Sequence, residues 1–475
     1  MRRPGLFLSS ARSSRGAVHA EARSERAAPP RAATNKARRG TRDQVRSAGS
    51  GRASSQAEPG TRRGRGAQGS ALETASKGAA RSALLQRGGP ITTHGEPALA
   101  AELEAALAAA DSDEIHDLTH GFHTYPARMH PRLARELVAR FSEPGELVLD
   151  PFCGSGTVLV EALAAGRKPQ GIDLNPLALR ISEVQCALRS ASARRRFEQH
   201  VLQVAEASEE RVRSRARARI PIERDIQAFY QPHVLFEICG LREEIDRVPD
   251  EADRRALLIV FSSLLIKFSR KRADTSGDTV DKRIRKGLVT EFFARKGHEL
   301  CLRWEALYSA AGRDAFEARL ICGDAREQSR LLGARFRADL IATSPPYGGT
   351  YDYARQHAIR NAWFGFDTER LHEREIGARR TLSRSRAGAA RWDDELLATL
   401  RAMREVSHEA TRVILWIGDA QIDGRRIPAD EQVAELAPHA ALELRASAAQ
   451  ARLDARGGPD RMEHLLWLQP VARAR

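Results

Sequence analysis

The sequence predicts an α/β domain of the doubly wound kind that is interrupted by a long helical insert. Residues 146–173 read as a strand, a loop, a helix and a second strand, which is the repeating unit of doubly wound sheets. Residues 185–315 are mostly helical in pattern and carry few strand signals. Strand-like segments return between residues 318 and 468, so the insert divides one α/β domain.

The elements follow in order along the chain. Apolar spacing and helix-forming residues predict helices at 97–110 and Pro131–Phe141. A short buried strand is expected at 146–150, a helix at 158–165, and a second strand that ends at Asp173. Four further strands are predicted at 318–322, Ala338–Thr343, 412–418 and 464–468.

Positive charge is concentrated at the amino end. The 475 residues carry a formal charge of +15, and residues 1–90 alone hold 19 basic and 5 acidic side chains. The body is therefore nearly neutral, and the high pI is no argument for nucleic-acid binding. Residues 1–95 lack periodicity and are predicted to be a disordered basic tail. Three roles of this tail are compatible with the sequence: it makes weak phosphate contacts, it is an organellar presequence, or it is an extension with no specific role.

Composition also bears on several classes of protein. No run approaches the ~20 apolar residues of a membrane span, so a transmembrane protein is not expected. None of the five cysteines lies in a CxxC pair, which disfavours structural zinc and a disulfide scaffold. The 14 histidines form no convincing HxxxH pair, so no metal site is predicted.

The turn after the first strand is typical of a nucleoside-cofactor site. Its glycines let the backbone pass close to a ligand, and the following helix presents free N–H groups. Asp173, at the end of the next strand, can accept hydrogen bonds from ribose hydroxyls. A glycine-rich turn with a capping Asp is the alternative, and the full DPFCGSGT and GIDLNP pattern disfavours it. The candidate residues in the turn are Asp150, Phe152, Gly154, Ser155, Gly156 and Thr157.

A second motif, TSPPY, follows the strand Ala338–Thr343. Two prolines fix φ and remove two N–H donors, which leaves carbonyl oxygens and the Ser344 hydroxyl to accept hydrogen bonds from an amine. The Tyr347 ring can stack on a base. The alternative is a Pro-Pro turn that ends a strand.

Together these motifs resemble those of S-adenosylmethionine-dependent DNA amino-methyltransferases of the N4-cytosine/N6-adenine family. The resemblance covers residues 118–185 and 318–470. It implies a Rossmann-like class I methyltransferase fold, with a mostly parallel seven-stranded sheet whose last strand is reversed. It also implies direct methyl transfer to a flipped base. The implied catalytic residues are Ser344, Pro345, Pro346 and Tyr347.

Other positions follow from the resemblance. Tyr125, in HTYPAR, resembles the segment that packs on the methionine part of the cofactor. Asp324 and Ala325, in CGDA, resemble the turn whose acidic residue reaches the adenine amino group. Ser344 stands where many adenine enzymes carry Asp or Asn, which favours cytosine as the target.

The resemblance divides the body into a cofactor half at 96–184, a helical insert at 185–315 and a catalytic half at 316–475. The insert is the candidate DNA-recognition region. Within it, residues 267–286 hold 8 basic and 3 acidic side chains, which suits phosphate contacts or a plain solvated surface. An arginine-rich loop at 374–391 is predicted over the substrate cleft, with a flexible surface loop as the alternative.

The predicted function is site-specific methylation of cytosine N4 in duplex DNA, with S-adenosylmethionine as cofactor and the target base flipped out. A restriction endonuclease is a possible partner, and the expected location is cytoplasmic and nucleoid-associated. The alternatives are a DNA adenine-N6 enzyme, an RNA guanine-N2 enzyme and an inactive DNA-binding scaffold. Because Cys153 lacks a Pro-Cys context, cytosine-C5 methylation is disfavoured. The sequence gives no oligomeric state and no recognition site.

Overall fold

The computed structural model describes residues 88–111, 116–126, 128–383, 387–452 and 461–471. Most of the predicted basic tail, residues 1–87, lies outside the described residues. None of the helices in the described ranges is both long and apolar enough to cross a membrane.

The described chain alternates strands and helices as the sequence predicts. The strands are β1 (Gly88–Gly95), β2 (Leu147–Asp150), β3 (Lys168–Asp173), β4 (Arg319–Cys322), β5 (Ala338–Thr343), β6 (Ser407–Gly418), β7 (Ala420–Ile422), β8 (Arg425–Ile427), β9 (Leu442–Arg452) and β10 (Arg461–Pro470). The helices are α1 (Pro97–Ala108), α2 (Pro131–Phe141), α3 (Thr157–Ala164), α4 (Pro176–Gln185), α5 (Ala191–Ser214), α6 (Arg224–Gln227), α7 (Pro232–Asp246), α8 (Glu251–Leu265), α9 (Leu288–Ala311), α10 (Gln328–Leu332), α11 (Tyr353–Gln356), α12 (Ala358–Phe364), α13 (Glu369–Arg374), α14 (Arg379–Leu382), α15 (Gly388–Glu405) and α16 (Ala429–Leu436).

Eight strands form the main sheet in the order β1-β9-β10-β6-β5-β2-β3-β4, and β7 and β8 form a separate hairpin. Strands β4, β3, β2, β5 and β6 are mutually parallel. The last strand, β10, is antiparallel to both of its neighbours. The predicted Rossmann-like sheet, mostly parallel with a reversed last strand, is confirmed.

The sheet is covered on both faces because its central strands are apolar on both sides. Leu340 belongs to the cluster under α1 and α2, whereas the next residue, Ile341, belongs to the cluster under α15 and α16. Ile414 and Leu415 divide in the same way. This alternation is the two-residue period of a strand buried between helix layers.

Strand β1 corrects two expectations, the number of strands and the boundary of the tail. It adds an eighth strand to the seven expected, and it lies within the segment 1–95 that was predicted to be disordered. Its ladder pairs Ile91 with Gln450 and Thr93 with Ala448 of β9. Those partners are more than 350 residues away in sequence, so no local periodicity could have indicated the strand.

The insert between α4 and β4 contains the helices α5 to α9 and has a hydrophobic core of its own. Phe197, Phe261, Phe293 and Trp304 are fully buried in that core. Helix α12, which follows the TSPPY motif in sequence, contributes buried side chains to the same core. The insert therefore packs on the segment that leaves the predicted catalytic motif.

Candidate active site

A cavity lies at the carboxyl ends of β2, β3 and β5, where neighbouring parallel strands open toward ligands. Its volume is about 860 Å³ with open solvent at its mouth included. Most of the predicted site residues line it: Tyr125, Asp150, Phe152, Gly154, Ser155, Thr157, Asp173, Asp324, Ala325, Ser344 and Pro346. The two motifs, nearly 190 residues apart in sequence, thus face one space.

Three predicted residues do not line this cavity. Gly156 lies behind it as the N-cap of α3, where its φ is +85° and a Cβ would come within 3.0 Å of Ser182 Oγ. Pro345 is buried, and Tyr347 is only 9% exposed within the cluster between the sheet and α15. The Tyr347 ring is therefore part of the core in this structure.

Asp150 ends β2 with a carboxylate that is almost completely buried. Its Oδ1 accepts hydrogen bonds from Thr343 Oγ1 at 2.6 Å and from Phe152 N at 3.1 Å. Burial raises the pKa of Asp150 to about 7, against these two hydrogen bonds, and the charge of Asp173 adds to the rise. Thr343 belongs to β5, so this contact ties the ends of the two motif-bearing strands together.

Asp173 ends β3 and is fixed by backbone donors. Gly154 N lies 2.8 Å from its Oδ2, and Asn175 N lies 2.8 Å from its Oδ1. Burial raises the pKa of Asp173 to about 6, although both hydrogen bonds lower it. A carboxylate offers about four lone-pair positions, so both oxygens keep acceptor capacity toward the cavity.

The glycine turn allows close approach at the cofactor side. Gly154 has a φ of +50°, and a Cβ there would come within 3.2 Å of the Tyr125 ring. Gly156, the N-cap residue of α3, supplies no side-chain cap, which leaves N–H groups of the first turn for a ligand. Tyr125 thus lies directly against the turn.

The TSPPY loop is held in place by both backbone and side chains. Burial and the charge of Glu463 raise the pKa of Tyr347 well above its usual value, while a hydrogen bond with Ser344 lowers it. After the motif, Gly349 N donates to Gly377 O at 3.0 Å, and a Cβ on Gly349 would come within 1.9 Å of Gln421 O. Glycine is required at that close approach.

Asp324 lines the cavity, but its carboxylate is already paired. Arg326 donates to both of its oxygens, at 2.9 and 2.7 Å, and Arg374 Nε lies 3.0 Å from Oδ2. Burial raises the pKa of Asp324, but the hydrogen bonds and charges of these arginines lower it overall. The expected contact with an adenine amino group would have to compete with two guanidinium groups.

The segment after the catalytic motif closes one side of the cavity, at the place predicted for an arginine-rich loop. Glu375 Oε1 accepts a hydrogen bond from Tyr353 N at 2.5 Å, and Arg380 pairs with Glu375 and Asp352. Arg374 is the residue that also contacts Asp324. Glu375, which lines the cavity, is thus ion-paired with Arg380.

Sequence reasoning missed several lining residues. They are Arg128, Met129, Pro151, Cys153, Val158, Leu174, Asn175, Tyr353, Leu371, Glu375 and Ile376. Those next to the motifs, such as Asn175 in GIDLNP, could have been found by extending each motif. Leu371 carries no local signal, because only the packing of α13 brings it to the cavity, whereas Glu375 and Ile376 lie within the segment 374–391 that the sequence predicts over the cleft.

A cluster with metal-ligating atoms lies outside this cavity. Atoms of Asp117, His120 and Glu161 lie within 4.8 Å of one another. His120 Nε2 is 2.6 Å from Glu161 Oε1, and Arg135 donates to both carboxylates. Since Arg135 bridges the two carboxylates and His120 also contacts Glu161, we interpret the cluster as a structural ion-pair network.

Comparisons with known proteins agree with the cofactor half of this site. Residues 107–184 match the N6_N4_Mtase family model, described as DNA methylase. The type II methyltransferase M.MvaI of Kocuria varians is 44% identical over 72 residues, which is 14% of this chain and 16% of that protein. The DNA adenine methyltransferase YhdJ of Escherichia coli is 35% identical over 65 residues, 14% of this chain and 22% of that protein.

An RNA enzyme matches over a similar stretch. The tRNA (guanine(10)-N2)-dimethyltransferase of Methanocaldococcus jannaschii is 49% identical over 53 residues, 11% of this chain and 15% of that protein. The chain thus spans less than a quarter of the length of each of these relatives. The family match supports a DNA amino-methyltransferase family for residues 107–184, the segment that supplies Asp150, the glycine turn and Asp173 to the cavity.

Proposed function

We propose that this protein transfers a methyl group from S-adenosylmethionine to the exocyclic N4 amine of cytosine in duplex DNA. The observation that carries the proposal is the shared cavity. Acidic and glycine residues for a nucleoside cofactor line one side of it, and Ser344 and Pro346 line the other. A methyl donor and an acceptor amine could therefore meet in one space, which is the main requirement for direct transfer.

The residues of the cofactor side fit S-adenosylmethionine in chemistry. Asp173 has acceptor capacity for ribose hydroxyls, and the N-terminus of α3 offers N–H groups to the carboxylate of the methionine part. Tyr125 and Phe152 supply apolar surface. When bound, the cofactor supplies an electrophilic methyl group on a cationic sulfonium, whose charge suits the acidic pair Asp150 and Asp173.

On the acceptor side, the chain's own groups would orient the target amine. The lone pair of an exocyclic amine is delocalised into the ring, so the nitrogen is a weak nucleophile. A hydrogen bond from the amine to Ser344 Oγ would favour a tetrahedral nitrogen, with its lone pair directed at the methyl group. The Pro345 carbonyl, assigned the same role from the sequence, does not line the cavity and would have to become accessible when the base enters. Such contacts strengthen in the transition state and so raise the rate.

Ser344 supports cytosine over adenine, since many adenine enzymes of the resembling family carry Asp or Asn at that position. Similarity to an adenine enzyme and to a tRNA enzyme keeps adenine N6 and guanine N2 as competing targets. Because each similarity covers at most 14% of the chain, the target base has to be measured.

The insert carries a basic segment that would suit the phosphates of a DNA substrate. Most basic side chains of the segment 267–286 are exposed: Lys267, Arg270, Arg272, Arg283, Arg285 and Lys286. Lys282 differs, because its Nζ donates to the carbonyls of Ile266, Lys267 and Lys271 and so fixes the shape of the segment. We propose that the exposed members contact DNA phosphates.

Expression in a methylation-free bacterial host tests the proposal, followed by base-resolved sequencing of the host genome. We expect N4-methylcytosine at one short recognition site. Detection of N6-methyladenine would change the assigned target base from cytosine to adenine and leave the proposed mechanism intact. Methylated RNA with unmodified DNA would exclude DNA as the substrate. An inactive scaffold would modify nothing and need not bind S-adenosylmethionine in calorimetry. Neighbouring genes would reveal a partner endonuclease, and an enzyme of this kind would act at the nucleoid.

A further inference from the structure

The catalytic half and the insert meet at α12, which begins 11 residues after Tyr347. Trp363 of α12 donates from Nε1 to Tyr230 OH at 3.1 Å and makes an edge contact with Phe261, with ring centroids 5.4 Å apart. Arg242 Nη1 donates to Trp363 O at 2.7 Å. Because Tyr230, Arg242 and Phe261 all belong to the insert, α12 is anchored there.

One buried side chain of α12, Arg360, contacts the basic segment directly. Arg360 is 1% exposed, and it forms a bidentate ion pair with Asp274, at 3.1 Å from Nε and 2.9 Å from Nη2. Asp274 lies within the segment 267–286, whose other charged groups are mostly exposed. Burial of both charges makes each dependent on the other, since an unpaired buried charge is costly.

The remaining donors of Arg360 reach both the segment before β2 and Ser262 of α8, whose backbone carbonyl also accepts from Nη1. Nη2 donates to Thr124 Oγ1 at 3.1 Å, and Nη1 lies 3.2 Å from both His123 Nε2 and Ser262 Oγ. His123 Nδ1 lies 2.8 Å from Thr124 O, so the ring donates there and Nε2 is the acceptor that faces Arg360. The next residue along the chain, Tyr125, lines the cofactor cavity.

A second link runs from α12 to the cavity. His357, which precedes α12, has its ring centroid 5.0 Å from that of Tyr125. Its Nδ1 lies 3.1 Å from Asn175 Nδ2, and the backbone N–H of Asn175 donates to Asp173. Two side chains of the cofactor site therefore touch the helix that holds Arg360.

We propose that Arg360 is a positioning residue that joins the basic segment 267–286 to the cofactor cavity, so that binding of DNA phosphates and binding of cofactor strengthen each other. The inference rests on the proposed function. Phosphates that order the segment would hold Asp274, and through Arg360 would hold the segment that carries Tyr125. By thermodynamic reciprocity, a bound cofactor must then raise DNA affinity by the same factor.

The test measures S-adenosylhomocysteine affinity by calorimetry, with and without a duplex that carries the site found by sequencing. This methyl-free analogue prevents turnover. We expect the duplex to raise the affinity of the wild-type protein about 5-fold or more, the lower range of measured couplings. In Asp274→Asn the increase should fall below about 2-fold, because the bidentate pair is lost. Arg360→Lys keeps the charge but not the fork, so it should lose the coupling as well.

Asp253→Asn is the matched control. Asp253 is buried in the same insert and pairs with Arg189, Arg196 and His200, none of which belongs to α12. It should lower the melting temperature yet keep the coupling. Full coupling in Arg360→Lys, or in a folded Asp274→Asn, would overturn the proposal, and so would equal loss in the control. A wild-type protein that neither binds nor methylates DNA would instead refute the proposed function before any variant is compared.

Discussion

The two sides of the cavity are built differently. On the cofactor side, Asp173 is held by the backbone N–H groups of Gly154 and Asn175, and its carboxylate lines the open space. On the proposed catalytic side, burial and the charge of Glu463 raise the pKa of Tyr347, Ser344 lowers that pKa, and the Tyr347 ring is only 9% exposed. Backbone donors cannot rotate away, whereas a hydroxyl exchanges partners by rotating about a single bond.

This difference indicates that the cofactor side is preorganised, whereas the proposed catalytic side presents a hydroxyl that can turn toward the substrate. Preorganised groups contribute mainly to binding, since they are in place before the ligand arrives. A group that changes its partner when the substrate enters contributes mainly to the chemical step. Variants on the two sides should therefore affect different measurements.

The largest effect is expected for Ser344→Ala. Loss of one hydrogen bond that strengthens in the transition state should lower the single-turnover methylation rate by about 100- to 1,000-fold, as for removal of one oxyanion donor. Cofactor and DNA affinity should stay near wild type, since the cofactor side is untouched. Rapid-quench measurement checks the rate, and a rate within 3-fold of wild type would contradict the assigned role.

Asp173→Asn should act on binding instead. Loss of the charge-assisted hydrogen bonds should weaken S-adenosylmethionine affinity by about 1–3 kcal/mol, or roughly 5- to 150-fold. The matched control is Asp339→Asn. Asp339 accepts a hydrogen bond from Leu147 N at 2.8 Å, but it lies at the amino ends of β2 and β5, away from the cavity. Calorimetry should show weaker binding for the first variant alone, and unchanged affinity would remove Asp173 from the site.

Removal of the Tyr347 ring tests whether a buried aromatic can also stack on the target base. In Tyr347→Leu, which keeps most of the apolar volume, DNA binding should weaken by about 1–3 kcal/mol if stacking occurs. The melting temperature monitors the core contribution separately. Weaker folding with unchanged DNA affinity would show that the ring serves only the core.

Cofactor affinity should fall as the pH is lowered, because the cationic sulfonium favours ionised carboxyl groups. The pKa of Asp173 is raised to about 6 and that of Asp150 to about 7 in the free protein. From pH 7.5 to pH 5, protonation of Asp173 alone should weaken binding by about 10-fold. Titrations at several pH values check this, and Asp173→Asn should flatten the profile.

The same two groups have the opposite effect on folding. Their pKa values are above those of the unfolded chain, so their contribution to stability is fully present below about pH 4 and is lost as the pH rises through 6 and 7. The cofactor should therefore stabilise the protein most near neutral pH. Melting temperatures with and without S-adenosylmethionine, whose sulfonium is cationic, should diverge as the pH is raised.

The cofactor side was the more predictable from sequence. The glycine turn and Asp173 act through local geometry, so contiguous residues carry the signal. The sequence of β9 carries no strand signal, because Ala446, Ala448 and Ala449 have low strand propensity. These residues form a strand only by pairing between β1 and β10. The two arginines on Asp324 and the anchoring of α12 in the insert also depend on long-range packing.

The smallest effect is expected for Tyr347→Phe, which keeps the ring and removes the hydroxyl whose pKa is raised by burial and lowered by Ser344. The ring packs so closely on Gly418 that a Cβ there would come within 2.7 Å of Tyr347 Cε2, so phenylalanine should occupy the same position. Since at most one neutral contact of the Ser344 hydroxyl is then lost, DNA affinity and single-turnover rate should each change by no more than about 5-fold, or about 1 kcal/mol. If the rate instead fell as far as in Ser344→Ala, the tyrosine hydroxyl itself would take part in the chemistry. The contrast between a preorganised cofactor side and a catalytic side that acts through the Ser344 hydroxyl alone would then be wrong.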